Sequence, residues 1–279
     1  MRTAICNELF FEPASVGDDP WPWRRQCEYA AQVGYDGLEV APHTLGPDPL
    51  SLPAAERDTM RRVASDCGVE IVGVHWLLAH TTGLHLTSAD EGTRRRTGEY
   101  LAGLADLCGD LGGRVMVLGS PQQRNLEPGV SAEQAMTNAA DTIGGAVPRM
   151  VERGVTLCLE PLSPAETDFM NTCADGRKLI ERVGSPAVRL HQDVKAMASE
   201  PTPVPQLIAE FADVTEHFHA NDPNLRGPGM GDVDFAPIAA ALSASGYDGF
   251  VSVEVFDYEP GVDRTARESL GCLRRCGVA

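Results

Sequence analysis

Positive charge is scarce in this 279-residue sequence: 23 Lys and Arg stand against 40 Asp and Glu, a formal net charge of −17. Such a surface repels phosphate backbones and anionic lipid, which argues against nucleic acid and membrane surfaces as the main partners. A small phosphorylated molecule held by one local base stays open. No apolar run approaches the roughly 20 residues that span a bilayer. The opening stretch, Met1 to Phe10, is interrupted by Glu8 and has no signal-peptide core. Cys-x-x-Cys pairs are missing too. The eight cysteines are scattered from Cys6 to Cys276, so neither a zinc ribbon nor a thioredoxin-type site is indicated. Most lie in apolar patterns, where a thiol behaves as a small hydrophobe, and reduced thiols in a cytoplasmic protein are the expectation. No low-complexity stretch or linker divides the chain. What is present is an ordinary globular composition, 43% hydrophobic and 6% aromatic, sufficient for a sizeable core. One domain over residues 1–279 is expected.

Short apolar, β-branched runs recur along the chain. They predict strands at Thr3–Cys6, Gly37–Ala41, Glu70–His75, Arg114–Gly119, Val155–Glu160, Val188–Asp193, Thr215–His219 and Phe250–Val255. Most are too short and too apolar for half-exposed antiparallel strands and fit buried parallel ones. Segments with helical spacing lie between them. In Thr93–Leu111, for example, Tyr100, Leu101, Leu104, Leu107, Cys108 and Leu111 fall on one face. Several of these segments end at a glycine, as helix C-termini often do. Eight strands alternating with eight helices over this length predict an α/β fold, a (β/α)8 TIM barrel. An open doubly wound sheet is the alternative, but no G-x-G-x-x-G follows the first strand, as a dinucleotide fold would need.

Active sites of such barrels lie at the C-terminal strand ends. The fifth strand ends at Glu160, the sixth at Asp193, the seventh at His219 and the eighth near Glu254. These strands are consecutive, so the four side chains converge on one side of the mouth. Three carboxylates crowded together raise one another's pKa values, and a divalent cation relieves this. Oxygen ligands with one imidazole suit Mn, Mg, Co, Fe or Zn. Around this set, Glu166 is either an acceptor for substrate hydroxyls or a solvated loop acid. His75, followed by the flat face of Trp76, is either a sugar-pocket donor or a satisfied core histidine. Arg226 either reaches a sugar oxygen or phosphate, or forms a surface salt bridge. His217 shares a face with His219 one layer deeper and reads as a core histidine. Glu39 either lines the pocket or caps a loop.

These residues resemble the xylose-isomerase-like TIM-barrel superfamily, the sugar phosphate isomerase/epimerase group, across nearly the whole chain. The resemblance is carried by Leu159-Glu160-Pro161-Leu162 with Glu166-Thr167-Asp168-Phe169, His191-Gln192-Asp193, His217-Phe218-His219-Ala220-Asn221-Asp222, the loop from Gly227 to Phe235, and Val251-Ser252-Val253-Glu254. It implies one divalent metal ion, commonly Mn or Co, on Glu160, Asp193, His219 and Glu254. Glu160 and Glu254 would also be the acid/base pair that moves a proton beside a sugar carbonyl through an enediolate. Glu166 would hold substrate hydroxyls. The implied activity is a carbohydrate epimerase or isomerase of the ketose 3-epimerase type, acting on a small-molecule sugar, often as a homo-oligomer. A keto-sugar lyase or dehydratase, or a non-catalytic sugar-binding barrel, would use the same architecture.

The chain departs from the ketose 3-epimerase pattern at two places. A His three residues after the metal Asp is replaced by Ala196, next to Lys195, and Arg226 is offset by one residue. A modified sugar such as a 3-keto-glycoside fits the same chemistry. The abasic-site endonuclease branch needs that same His, another near Ser120 and an Asp-x-His where this chain has Asp232-Val233-Asp234. Two of its three metals would lack ligands.

Overall fold

Each strand is separated from the next by a helix that must lay its apolar face on the sheet, so successive strands end up parallel neighbours. The computed structural model describes residues 1–17 and 19–278. Its strands are β1 (Arg2–Cys6), β2 (Gly37–Val40), β3 (Glu70–Val74), β4 (Val115–Leu118), β5 (Thr156–Leu159), β6 (Val188–Asp193), β7 (Thr215–Ala220) and β8 (Phe250–Val253). They pair in sequence order, all parallel, and β8 closes on β1. The chain is the (β/α)8 barrel the alternation predicted.

The outer ring is α1 (Trp23–Val33), α2 (Ala54–Cys67), α3 (Glu91–Leu111), α4 (Ala132–Arg153), α5 (Cys173–Val183), α6 (Val204–Glu210), α7 (Phe235–Ala244) and α8 (Val262–Arg275). Side-chain caps start several of them. Asp90 accepts from the Thr93 amide at 2.6 Å, and Ser131 from the Gln134 amide at 3.2 Å. Gly112 and Gly154 end α3 and α4 in the left-handed conformation, at φ 86° and 63°. The main core lies between barrel and helices, with Leu38, Leu104, Ile143, Leu190 and Phe218 fully buried. Among the described residues no helix is long and apolar enough to cross a membrane, and the cysteines are free thiols.

Several strands stop one or two residues short of the sequence expectation. His75 and Glu160 lie just past β3 and β5, yet their amides still bond the Val40 and Leu118 carbonyls at 3.1 and 3.2 Å. Inside the barrel, residues two apart share a face. Ala4, Val72, Val115, Val117, Cys158 and Phe250 form an apolar cluster separate from the main core and plug the lower interior. One step up from that plug the inward positions become polar: Glu160 follows Cys158, and Ser252 and then Glu254 follow Phe250. The pairing register shifts between Leu38 and Glu39 and between Leu190 and His191. Both irregularities re-aim a polar side chain at the same depth.

Close approach of β3 and β4 depends on Gly73, where a Cβ would lie 2.0 Å from the Val115 carbonyl oxygen. Backbone cannot yield as a side-chain end can. Gly73→Ala is expected to cost about 3 kcal/mol of stability, read as a lower urea midpoint with unchanged slope.

Candidate active site

Glu160, Asp193, His219 and Glu254 stand at the mouth ends of β5 to β8, and all four are buried. Glu160 has room because Gly119, at the end of β4, has no side chain; a Cβ there would sit 2.1 Å from Glu160 Oε2. The fully buried Arg124 fixes the backbone, donating from Nη1 to the Glu160 carbonyl oxygen at 2.7 Å. Asp193 is the last residue of β6 and caps the short helix Val194–Met197. Its Oδ1 accepts from the Ala196 amide at 2.7 Å and its Oδ2 from Asn221 Nδ2 at 2.6 Å. Asn221 Oδ1 in turn accepts from the Lys195 amide at 2.8 Å. The β6–β7 register sets Asp193 beside His219. His219 is held from both sides: Nδ1 lies 3.1 Å from Glu254 Oε2, and Nε2 lies 3.1 Å from Glu39 Oε1. The other oxygen of Glu254 accepts from Trp76 Nε1 at 2.8 Å.

Crowding these groups out of water has the expected electrostatic effect. Burial, then Glu254 and Asp193, hold the Glu160 carboxyl well above its usual range. Burial and Glu254 push Asp193 up to about 6. Burial would raise Glu254 as well, but the His219 charge and hydrogen bond bring it below the usual value. Burial opposes charge on His219, yet Glu254 and Glu39 carry it well above the ordinary imidazole range. Among the described residues no protein donor reaches the Glu160 carboxylate. One donor atom each from Glu160, His191, Asp193 and His219 lie within 4.8 Å of one another. Three of the four ligands expected from the sequence are in that set. Glu254 adjoins it through His219, and His191 takes the fourth place. An acid-rich, dry cluster that draws protons onto its own oxygens fits a divalent cation, which supplies the missing positive charge.

A cavity of about 560 Å³ opens above the cluster, lined by Trp76, Glu160, Leu162, Glu166, Glu254 and Phe256 among others. That is within the range of small-molecule sites. Glu166 reaches it from the loop after β5, accepting from Lys195 Nζ at 2.6 Å and Ser163 Oγ at 2.8 Å. Burial would raise its pKa, but Lys195 lowers it. The Lys195 ammonium sits 4.5 Å over the Phe256 ring.

Two expected substrate contacts lie elsewhere. His75 is wholly buried below the cavity, with Nε2 2.9 Å from Glu8 Oε2; its position past β3 turns it inward to a buried acid. Arg226 follows β7 as expected, but its guanidinium is taken by Asp257 at 2.8 Å and Glu259 at 3.0 Å and is absent from the cavity wall. Its salt-bridge reading is the one seen. His217 is the core histidine anticipated, 2.8 Å from Glu39 Oε2. Glu39 itself neither lines the pocket nor caps a loop. It is buried and spans His217 and His219, and these two histidines pull its pKa well below the usual range against the effect of burial. Sequence reading missed Asn221, Arg124, Gly119 and His191. Of these, His191 and Asn221 lie in the motifs that carry the resemblance, and Arg124 and Gly119 carried no signal.

The sequence matches the xylose isomerase-like TIM barrel family over residues 27–276. It is 32% identical over 176 residues to the L-ribulose 3-epimerase of Mesorhizobium japonicum, which covers 62% of this chain and 59% of that relative. It is 26% identical over 234 residues to the D-psicose 3-epimerase of Agrobacterium fabrum, covering 82% of this chain and 78% of the relative. In solved structures, a D-psicose 3-epimerase in the presence of D-fructose superposes with a TM-score of 0.85 at 22% identity, each chain covered completely at 100%. The match over residues 27–276, on a closed eight-strand barrel, places this chain in the xylose isomerase-like TIM barrel family.

Proposed function

We propose that the chain is a divalent-metal-dependent epimerase of a ketose or keto-sugar. The observation that carries this reading is the buried set of Glu160, Asp193, His219 and Glu254, two of which, Glu160 and Glu254, line a sugar-sized cavity. Relatives named L-ribulose 3-epimerase and D-psicose 3-epimerase support it. Glu160, Asp193, His219 and Glu254 would hold the cation, with Mn the first candidate. Such an ion polarises a carbonyl oxygen and lowers the energy of negative charge developing there.

The rest of the work falls to the chain's own residues. A carbon-bound hydrogen beside a carbonyl is a weak acid, and a positioned carboxylate removes it to give an enediolate. β5 and β8 stand three places apart in a ring of eight, so Glu160 and Glu254 approach a bound sugar from different sides. One takes the proton and the other returns a proton to the far face, with roles exchanged for the reverse reaction. Trp76 holds Glu254 by its indole hydrogen bond. Glu166 offers an acceptor to sugar hydroxyls from the cavity wall, and Lys195 holds it there from behind. Leu162, Trp76 and Phe256 keep the reacting carbon in an apolar wall away from bulk water.

The test is proton exchange. Incubated with Mn and D-fructose in deuterated water, the enzyme should place deuterium on the carbon next to the carbonyl and form the epimer. Epimer without deuterium would remove solvent-exchanging proton transfer from the reading. Glu160→Gln and Glu254→Gln should each lower turnover by about a thousandfold or more while the circular dichroism melt is retained. Near-normal turnover in either variant would cancel that residue's role.

Metal binding gives two further expectations. Gly119→Ala pushes against Glu160 Oε2 and should weaken Mn binding in a calorimetric titration while the fold persists. Burial and Glu254 push the Asp193 pKa up to about 6. A cation must displace the Asp193 proton at lower pH, so Mn affinity should fall as pH drops through this value, with protons released to the buffer.

A further inference from the structure

The cavity does not stop at the acids. A second groove of about 470 Å³ opens beside it, between the loops after β1, β2 and β3, and the two share Ala79, His80 and Thr81. Phe11, His43 and Tyr100 stand in the outer part of this groove. Aromatic rings run from one space into the other. Phe256 lies near-parallel to Trp76, with centroids 6.0 Å apart at 12°. Trp76 lies near-parallel to His43, at 5.5 Å and 20°. Phe11 stands edge-on to His43 at 6.0 Å and 89°. His80 leans on His43 at 4.6 Å.

Two of these residues are held in an unfavourable backbone conformation. Trp76 has φ 54° and His80 φ 61°, in the left-handed region that bulky side chains avoid. Ser120, on the facing wall of the first cavity, has φ 47° and accepts from the Leu78 amide at 3.0 Å. Strain of this kind persists where the position of a side chain matters. Among the described residues the groove wall contains no Lys, Arg, Asp or Glu, so a phosphate or carboxylate tail would find no counter-charge from them. Burial and the neighbouring His80 lower the His43 pKa to about 4, so that ring too is neutral. Both ring nitrogens of His43 lack a partner among the described residues.

We propose that this groove is a second subsite, which takes the ring-bearing aglycone of a keto-glycoside. The ring that carries the carbonyl would sit between Glu160, Glu166 and Glu254. A flat, uncharged substituent on its glycosidic oxygen would lie along Trp76, His43 and Phe11. The assignment rests on the sugar-epimerase reading above, and it narrows the substrate class from free ketoses to glycosides.

The experiment separates the two claims. Calorimetric binding of phenyl 3-keto-β-D-glucoside and methyl 3-keto-β-D-glucoside to the Mn-loaded full chain reads the groove without needing turnover. The phenyl ligand is expected to bind about tenfold tighter than the methyl ligand, the scale of one good aromatic contact. Phe11→Ala and His43→Ala should each erase that difference and leave methyl-glycoside binding as in the wild type, which also reports a folded variant. Equal affinities in the wild type, or a phenyl preference that survives both substitutions, would overturn the subsite. Deuterium exchange on free D-fructose, measured in the same proteins, should be unchanged by either substitution. If wild-type exchange is present but no phenyl preference is found, the groove assignment fails alone. If a phenyl preference is found but no sugar exchanges, the epimerase reading fails while the subsite stands.

Discussion

Like charges forced together away from water govern this molecule. Glu160, Asp193 and Glu254 arrive at one mouth because an acid ends β6 and directly follows β5 and β8, and all three are buried. The protein already answers part of the repulsion. His219 takes Glu254, Asn221 and the Ala196 amide take Asp193, and Trp76 takes the remaining oxygen of Glu254. Glu160 receives no such partner among the described residues, and its pKa stands well above the ordinary range. A site built this way is poised for a cation, because the binding of positive charge relieves repulsion that folding has imposed.

Beneath the acids the barrel is arranged in layers, and the layering explains how His219 keeps its aim. The apolar plug around Val115, Val117 and Cys158 shuts the lower end. The next layer is polar, and Glu39 is its centre. One oxygen holds His217 and the other holds Nε2 of His219. A carboxylate behind an imidazole fixes its tautomer and ring plane. Here that support comes from β2, where the pairing register shifts between Leu38 and Glu39 and the Glu39 side chain turns inward.

Much of this was legible in the sequence. Strand order could be read because every unit repeats one short β-branched run and one amphipathic helix. The acids and His219 could be read because one residue per unit, at the same place in each strand, needs only that spacing. What escaped reading depends on partners remote in sequence. Arg226 follows β7 as expected, but its direction is set by Asp257 and Glu259, on the loop after β8. His75 ends a strand like the other site residues, yet Glu8 on the first loop claims it. Arg124 acts on a backbone oxygen, and Gly119 acts by leaving space. Neither role has a signature in residue type or period.

Trp76 joins the two halves of the mouth. Its indole nitrogen binds Glu254, one of the two carboxylates assigned to proton transfer, and its ring lies between Phe256 and His43. A molecule that presses on the aromatic row therefore presses on the side chain that orients Glu254. The same row continues to the Lys195 ammonium over Phe256, and through Lys195 to Glu166. Where the family resemblance calls for a histidine, this chain has Ala196, and the neighbouring Lys195 is paired to Glu166. Glu166 is thereby fixed as an acceptor whose second partner, Ser163, also holds it still. One line of rings thus runs from Phe11 at its outer end to the Trp76 indole that holds Glu254 and, through Phe256 and Lys195, to Glu166.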